Sequence, residues 1–148
     1  MTLERPKRLQ PPVPPGALLK RSAEYPRPRL SKTEADEDPT YLALVRQLPC
    51  LYCGLDPCGE AAHLRLASAA FGKASGLGKE PADRWALPLC GIDHRTARHA
   101  QHNRSEAEFW ASLGINAPLV ATRLHAARGD LVRMRAVVFV AIAERDKR

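Results

Sequence analysis

Five apolar residues recur at helical spacing before the first cysteine: Tyr41, Leu42, Leu44, Val45 and Leu48. This spacing predicts a helix whose apolar side packs on a folded domain. Asp38 suits the N-cap and Pro39 the first helical position. Pro49 is expected to end the helix and to deliver the chain into the first cysteine pair.

Three further helices are predicted in the last third of the chain, over residues 105–114, 116–127 and 130–144. Ser105 and Glu108 form a capping-box pattern that opens the first of them. In the last one, the run Val-Val-Phe-Val at 137–140 has strand propensity, but the lack of helix breakers around it favours a helix. Because this helix is apolar on all sides, we expect it either to complete the core or to form a homodimer contact.

The middle of the chain predicts two short strands with a loop between them. The first strand is expected near residues 61–66 and carries His63, and the second covers 85–89 and ends on Cys90. The intervening segment is rich in glycine and predicts an irregular loop over residues 71–83.

A polar, helix-permissive segment follows the second strand. A helix over residues 93–103 would bring His94, Arg98 and His102 onto neighbouring turns, with His99 within reach of His102. If this segment is helical, the side chains of these histidines therefore lie close together.

Composition separates the first residues from the rest of the chain. Residues 1–32 hold seven of the thirteen prolines, with eight basic and two acidic residues. Proline restricts the backbone and removes hydrogen-bond donors, so residues 1–37 are predicted to be a disordered basic arm. The formal charge of the whole chain is +7, which favours a polyanionic partner.

The sequence indicates a reducing compartment. No apolar signal-peptide core follows Met1, and the longest apolar run, residues 136–143, is far too short to span a membrane. We therefore expect a cytoplasmic protein without a membrane partner. In that setting, cysteines at Cys-x2-Cys spacing are typical of metal ligands rather than of disulfides.

Cys50 and Cys53 form one such pair, and Cys90 begins a second one that reads Cys-Gly-Ile-Asp. Structural zinc takes four Cys or His ligands in a tetrahedron, usually from two such turns. Aspartate binds zinc through oxygen but is less common in structural sites. The fourth ligand is open among three residues: Asp93, Cys58 and His94.

The order of motifs along residues 49–110 resembles a known enzyme family. The motifs are Cys-x2-Cys, Ala-His-Leu-Arg, Gly-x-Gly-Lys, Pro-x-Asp-x-Trp, Leu-Pro-Leu-Cys, Gln-His and Glu-x-x-Phe-Trp. This layout resembles the HNH (His-Me finger, ββα-metal) endonucleases, particularly short phage and prophage versions. The resemblance implies an α+β fold, with a small zinc-stabilised ββα-metal core flanked by helices.

The resemblance also implies roles for particular residues. His63 would be the general base, and His94 and His102 would bind a catalytic divalent cation such as Mg, Mn, Ni or Zn. His99 is a weaker third candidate for that cation. Three arginines near the same stretch would hold the DNA backbone: Arg65, Arg95 and Arg98. Two departures concern the residue before the base, which is Ala62, and the Asn of the family name, which has no counterpart near Trp85; Asp83 is the nearest polar residue.

These observations predict three segments: the arm at 1–37, an HNH domain at 38–114, and C-terminal helices at 115–148. The leading hypothesis is a metal-dependent nuclease that cuts DNA with little sequence preference, as an accessory of phage recombination or packaging in a bacterial or phage-infected cell. The main alternative is a non-catalytic zinc-knuckle DNA-binding protein on the same scaffold. A zinc-stabilised protein-interaction module is a third hypothesis.

Overall fold

The structure is a computed structural model that describes residues 36–74 and 80–148. The predicted basic arm lies almost wholly outside the described residues, and so does the centre of the glycine-rich loop. Within the described ranges, no helix is both long and apolar enough to cross a membrane.

The described residues form four α-helices and one two-stranded antiparallel sheet, so the predicted α+β class is confirmed. In chain order the elements are α1 (Pro39–Val45), β1 (Gly59–His63), β2 (Ala86–Cys90), α2 (Glu106–Leu113), α3 (Ala117–Ala126) and α4 (Leu131–Asp146). Side chains from all six elements meet in one buried cluster, which includes Tyr41, Ala62, Leu87, Phe109, Leu124 and Val138.

Helix α1 begins where the sequence predicted but ends earlier. Asp38 caps it, since its Oδ1 accepts a hydrogen bond of 2.9 Å from the Tyr41 amide. The carbonyls of Arg46 and Leu48 accept hydrogen bonds from the amides of Gly59 and Cys58, at 3.0 and 2.8 Å. These bonds hold the start of β1 against the end of α1 and satisfy carbonyls that the end of a helix leaves without an internal partner.

The β-hairpin is shifted slightly from its predicted position. β1 begins two residues earlier than expected, and the register pairs Gly59 with Cys90 and His63 with Ala86. All five residues of β2 are buried, because the strand pairs with β1 and packs against α1 and α3. The two ends of the hairpin thus present different chemistry: Cys90 at one and His63 at the other.

The predicted helix over residues 93–103 is wrong. The chain instead forms a π-helical turn at Ile92–Thr96 and, after a bend, a 3-10 turn at Gln101–Asn103. Ala97 leaves the first turn with an extended ψ of 155°. Asn103 Nδ2 donates to the carbonyls of Arg95 and Ala97 at 3.0 and 2.8 Å, which stabilises the bend and replaces the hydrogen bonds of a continuous helix.

The three C-terminal helices are confirmed, although one cap is not. Ser105 makes no side-chain capping bond to α2, whereas Asn116 and Asp130 cap α3 and α4 by accepting from backbone amides at 3.2 and 3.0 Å. Gly114 follows α2 with a φ of +63°, a conformation that favours glycine.

The last helix, α4, is half buried. Its inner face packs into the core through Met134, Val138 and Ala141. Its outer face exposes 78% of Val132 and 54% of Phe139. The homodimer contact stays a prediction.

Two arginines join α4 to the turn that carries the first cysteine pair. Arg145 Nη1 donates to the carbonyl of Leu51 at 2.8 Å and also to that of Tyr52. Arg135 makes a two-pronged ion pair with Asp56 at 2.8 Å. The C-terminal helix therefore supports the cysteine turn directly.

Replacing Arg145 with alanine tests this support. Because two carbonyls would lose a charged donor, we expect the free energy of unfolding to fall by about 1–3 kcal/mol. Chemical denaturation of the protein with metal supplied measures this change. Arg133→Ala on the exposed side of the same helix is the control, and an equal effect of the two substitutions would contradict the assignment.

Candidate metal centre and adjoining cavity

Four candidate ligands meet beside the end of β2. Cys50 and Cys53 come from the turn after α1, Cys90 is the last residue of β2, and Asp93 lies in the π-helical turn. One ligand atom from each lies within 4.8 Å of all the others. These four residues are therefore positioned to hold a metal ion.

The distances and charges within this cluster suit a cation. Asp93 Oδ2 lies 3.0 Å from Cys90 Sγ and 3.4 Å from Cys50 Sγ, and Cys53 Sγ lies 3.7 Å from Cys90 Sγ. Burial raises the pKa of the Cys50 and Cys90 thiols, and burial with a hydrogen bond to Asp93 raises the pKa of Cys53 to about 11. A metal ion reverses this preference, since it stabilises thiolates and releases their protons.

The geometry decides among the three residues considered for the fourth ligand. Cys58 is buried elsewhere, with its Sγ 3.1 Å from the Glu60 carbonyl and 3.5 Å from the Val45 carbonyl. His94 is also directed away, because its Nδ1 lies 2.7 Å from Glu60 Oε2. Asp93 is the residue grouped with the three cysteines.

The carboxylate of Asp93 has a further partner that the sequence did not indicate. Its Oδ1 lies 2.8 Å from His99 Nε2. Burial alone would raise the pKa of Asp93, but hydrogen bonds from Cys53, Cys90 and His99 lower it below its usual value. The carboxylate is therefore ionised, as a metal ligand must be.

At the other end of the hairpin, His63 is held by a buried carboxylate. His63 Nε2 lies 2.7 Å from Asp83 Oδ1, and only 3% of Asp83 is exposed. Asp83 Oδ2 accepts a further hydrogen bond of 2.8 Å from the Asp38 amide. Asp83 has no role among the predictions from sequence, although its place in Pro-x-Asp-x-Trp is a usable signal.

His94 and His102 lie side by side in spite of the missing helix. Their ring centroids are 4.5 Å apart. The pKa of His102 is lowered, chiefly by burial and to a smaller extent by the positive charges of His94, Arg65 and Arg95. Over residues 36–74 and 80–148, the cysteine cluster is the only group of three or more ligand atoms this close, so the histidines form a pair without a third such partner.

A cavity of about 270 Å³ opens beside these histidines. Its lining consists of His63, Arg65, Gln101, His102, Arg104 and Glu106. Of the three arginines predicted to contact DNA, Arg65 lines this cavity, Arg95 pairs with Glu60, and Arg98 is exposed away from the lining. Arg104 also lines the cavity.

Glu106 organises one wall of the cavity. Its carboxylate accepts hydrogen bonds from the amides of Arg65 and Leu66, at 3.0 and 2.5 Å, and from Gln101 Nε2 at 2.6 Å. It thereby joins the chain that leaves β1 to the 3-10 turn and the start of α2. The sequence does not predict this role of Glu106, because the capping-box pattern marks it only as part of a helix start.

Comparison of the chain with protein-family models, with curated protein sequences and with solved structures found no match. The likeness to HNH endonucleases therefore stays a prediction from the motifs. The function is inferred from two features: the cluster of candidate metal ligands and the cavity beside His63.

Substitution of the candidate ligands tests the metal centre. We expect the wild type and Cys58→Ser to bind one metal ion per chain, and Cys90→Ser and Asp93→Ala to bind it much more weakly or not at all. Elemental analysis after dialysis against a mild chelator measures the content. Loss of metal from Cys58→Ser, with retention in Asp93→Ala, would show that the fourth ligand is misassigned.

Proposed function

We propose that this chain is a metal-dependent endonuclease of the HNH type, which hydrolyses DNA phosphodiester bonds with little sequence preference. The observation that carries the proposal is the position of His63. His63 is hydrogen-bonded to the buried Asp83 and lines a cavity. The same cavity is lined by His102 and by the cations Arg65 and Arg104. Hydrolysis of a phosphodiester needs a base to activate water and positive charge to stabilise the phosphate in the transition state.

His63 acts as the general base in this proposal. A neutral imidazole with a pKa near physiological pH can take a proton from water. The hydrogen bond to Asp83 fixes the orientation and the tautomer of the ring. Asp83 is itself held by the Asp38 amide, so the pair is well ordered.

His94 and His102 are the residues that would hold a catalytic cation. The lowered pKa of His102 keeps its ring neutral and able to donate a lone pair. Glu60 orients His94 through Nδ1, an arrangement typical of metal-binding histidines. When bound, a divalent cation supplies positive charge that neutralises the developing charge on the phosphate.

Arg65 and Arg104 would hold the DNA backbone. Both line the cavity, and guanidinium groups bind phosphate oxygens without reading bases. The net charge of +7 supports the same partner.

The metal of the cysteine cluster is proposed to be zinc in a structural role. Three thiolates and one carboxylate suit a four-coordinate zinc site, and the soft sulfur ligands disfavour magnesium or calcium. Four protein ligands would leave no open position for a substrate, so hydrolysis belongs at the cavity.

A non-catalytic DNA-binding module on the same scaffold is the second candidate. Two observations favour it: Ala62 precedes the proposed base, and no third ligand joins His94 and His102 within the described part of the chain. This protein would bind DNA through the same arginines but would not cut it.

Replacing His63 with alanine separates these two candidates. With structural metal retained and Mg, Mn or Ni added, we expect the wild type to nick supercoiled plasmid DNA and His63→Ala to be about 100- to 10,000-fold slower. Asp83→Asn should give an intermediate loss. Gel analysis of nicked circles measures the rate.

His125→Ala is the matched control, because His125 packs against Tyr41 at 5.4 Å and does not line the cavity. Thermal melting checks that each variant is folded. Nicking by folded His63→Ala at the wild-type rate would overturn the assignment of the base. DNA binding by the wild type without cleavage in any cation would favour the second candidate.

The arginines of the cavity can be tested through the salt dependence of DNA binding. We expect Arg65→Gln and Arg104→Gln each to weaken binding and to lower the slope of log K against log salt by about one. Fluorescence anisotropy over a salt series measures the slope. Arg98→Gln outside the cavity is the control, and an equal effect at all three positions would indicate a diffuse basic surface instead.

A further inference from the structure

The two oxygens of the Asp93 carboxylate have different surroundings. Oδ2 faces the sulfurs of Cys90 and Cys50, at 3.0 and 3.4 Å. Oδ1 faces the ring of His99, whose Nε2 lies 2.8 Å away. One oxygen is thus directed at the metal position and the other is held from outside.

A single carboxylate among thiolates needs such restraint more than a cysteine does. The terminal torsion of an aspartate is broad and roughly two-fold, so either oxygen, or both, can turn toward a cation. A hydrogen bond to the outer oxygen removes this freedom. Partners of this kind around metal ligands contribute substantially to metal affinity.

The ring of His99 is itself held in place. It stacks on Tyr52 with ring centroids 4.5 Å apart and planes 15° from parallel. Tyr52 in turn stacks on the fully buried Phe109 at 5.7 Å. Since Tyr52 lies between Cys50 and Cys53, the turn that supplies two ligands also orients the residue that restrains a third.

We infer that His99 is a positioning residue for the metal centre. Its ring holds the Asp93 carboxylate so that one oxygen of Asp93 faces the metal. His99 is therefore not a third ligand beside His94 and His102, and it does not line the cavity. The inference rests on the proposed metal centre and is independent of DNA cleavage.

Metal affinity in single variants gives the first test. Competition of the purified, metal-stripped protein with a chromogenic chelator for zinc measures the affinity. We expect His99→Ala to bind zinc about 10- to 100-fold more weakly than the wild type. His99→Gln should recover part of the loss, because its amide can donate to the same oxygen, and His125→Ala should match the wild type.

A double substitution isolates the role of the carboxylate. In Asp93→Cys the fourth ligand is a thiolate, which has no second oxygen for His99 to hold. We expect His99→Ala to have no further effect on zinc affinity in this background, although it weakens affinity in the wild type. A thermodynamic cycle of the four proteins measures this coupling, and it cancels any general loss of stability.

The absorption spectrum of the cobalt(II)-loaded protein reports ligand geometry directly. We expect the visible bands to change in His99→Ala and to return toward the wild-type spectrum in His99→Gln. Equal affinity and spectra for His99→Ala and the wild type would overturn the inference, as would an equal effect of His99→Ala in both backgrounds. If the wild type bound neither metal, the metal centre and the role of His99 would both be wrong.

Discussion

The cluster of Cys50, Cys53, Cys90 and Asp93 is the constraint on which the other features depend. It joins three parts of the chain: the turn after α1, the end of β2 and the π-helical turn. A two-stranded hairpin is marginal by itself in water. A metal at its Cys90 end would fix the hairpin on the helices, and Arg145 of α4 supports the same turn from outside.

Two carboxylates do comparable work on the other side of the hairpin: Asp83 is buried and Glu106 is partly exposed. Asp83 joins His63 to the start of α1, and Glu106 joins the chain after β1 to the start of α2. Each accepts two or more hydrogen bonds, so the cost of burying its charge is offset. The walls of the cavity are thus held by hydrogen-bonded carboxylates, and the proposed base and its neighbours are held in place before any substrate arrives.

Sequence reasoning succeeded where the cause was local. The cap Asp38 and the helix starts at Asn116 and Asp130 are visible in the sequence, because capping involves residues three positions apart. It failed at residues 93–103, where helix propensity yields to the buried Asp93 and to the hydrogen bonds of Asn103. The roles of Glu106 and His99 depend on partners distant in sequence or outside any regular element, so spacing alone could not reveal them. For Asp83 the one signal is its place in Pro-x-Asp-x-Trp.

The central claim is that one metal position is structural and a second is catalytic. Anomalous diffraction at the zinc and manganese edges, from crystals of the zinc-loaded protein soaked in manganese, tests it most directly. We expect zinc among Cys50, Cys53, Cys90 and Asp93, and manganese between His94 and His102. Zinc in the cysteine cluster with no manganese at the histidines would contradict the catalytic role and leave a DNA-binding module as the better description.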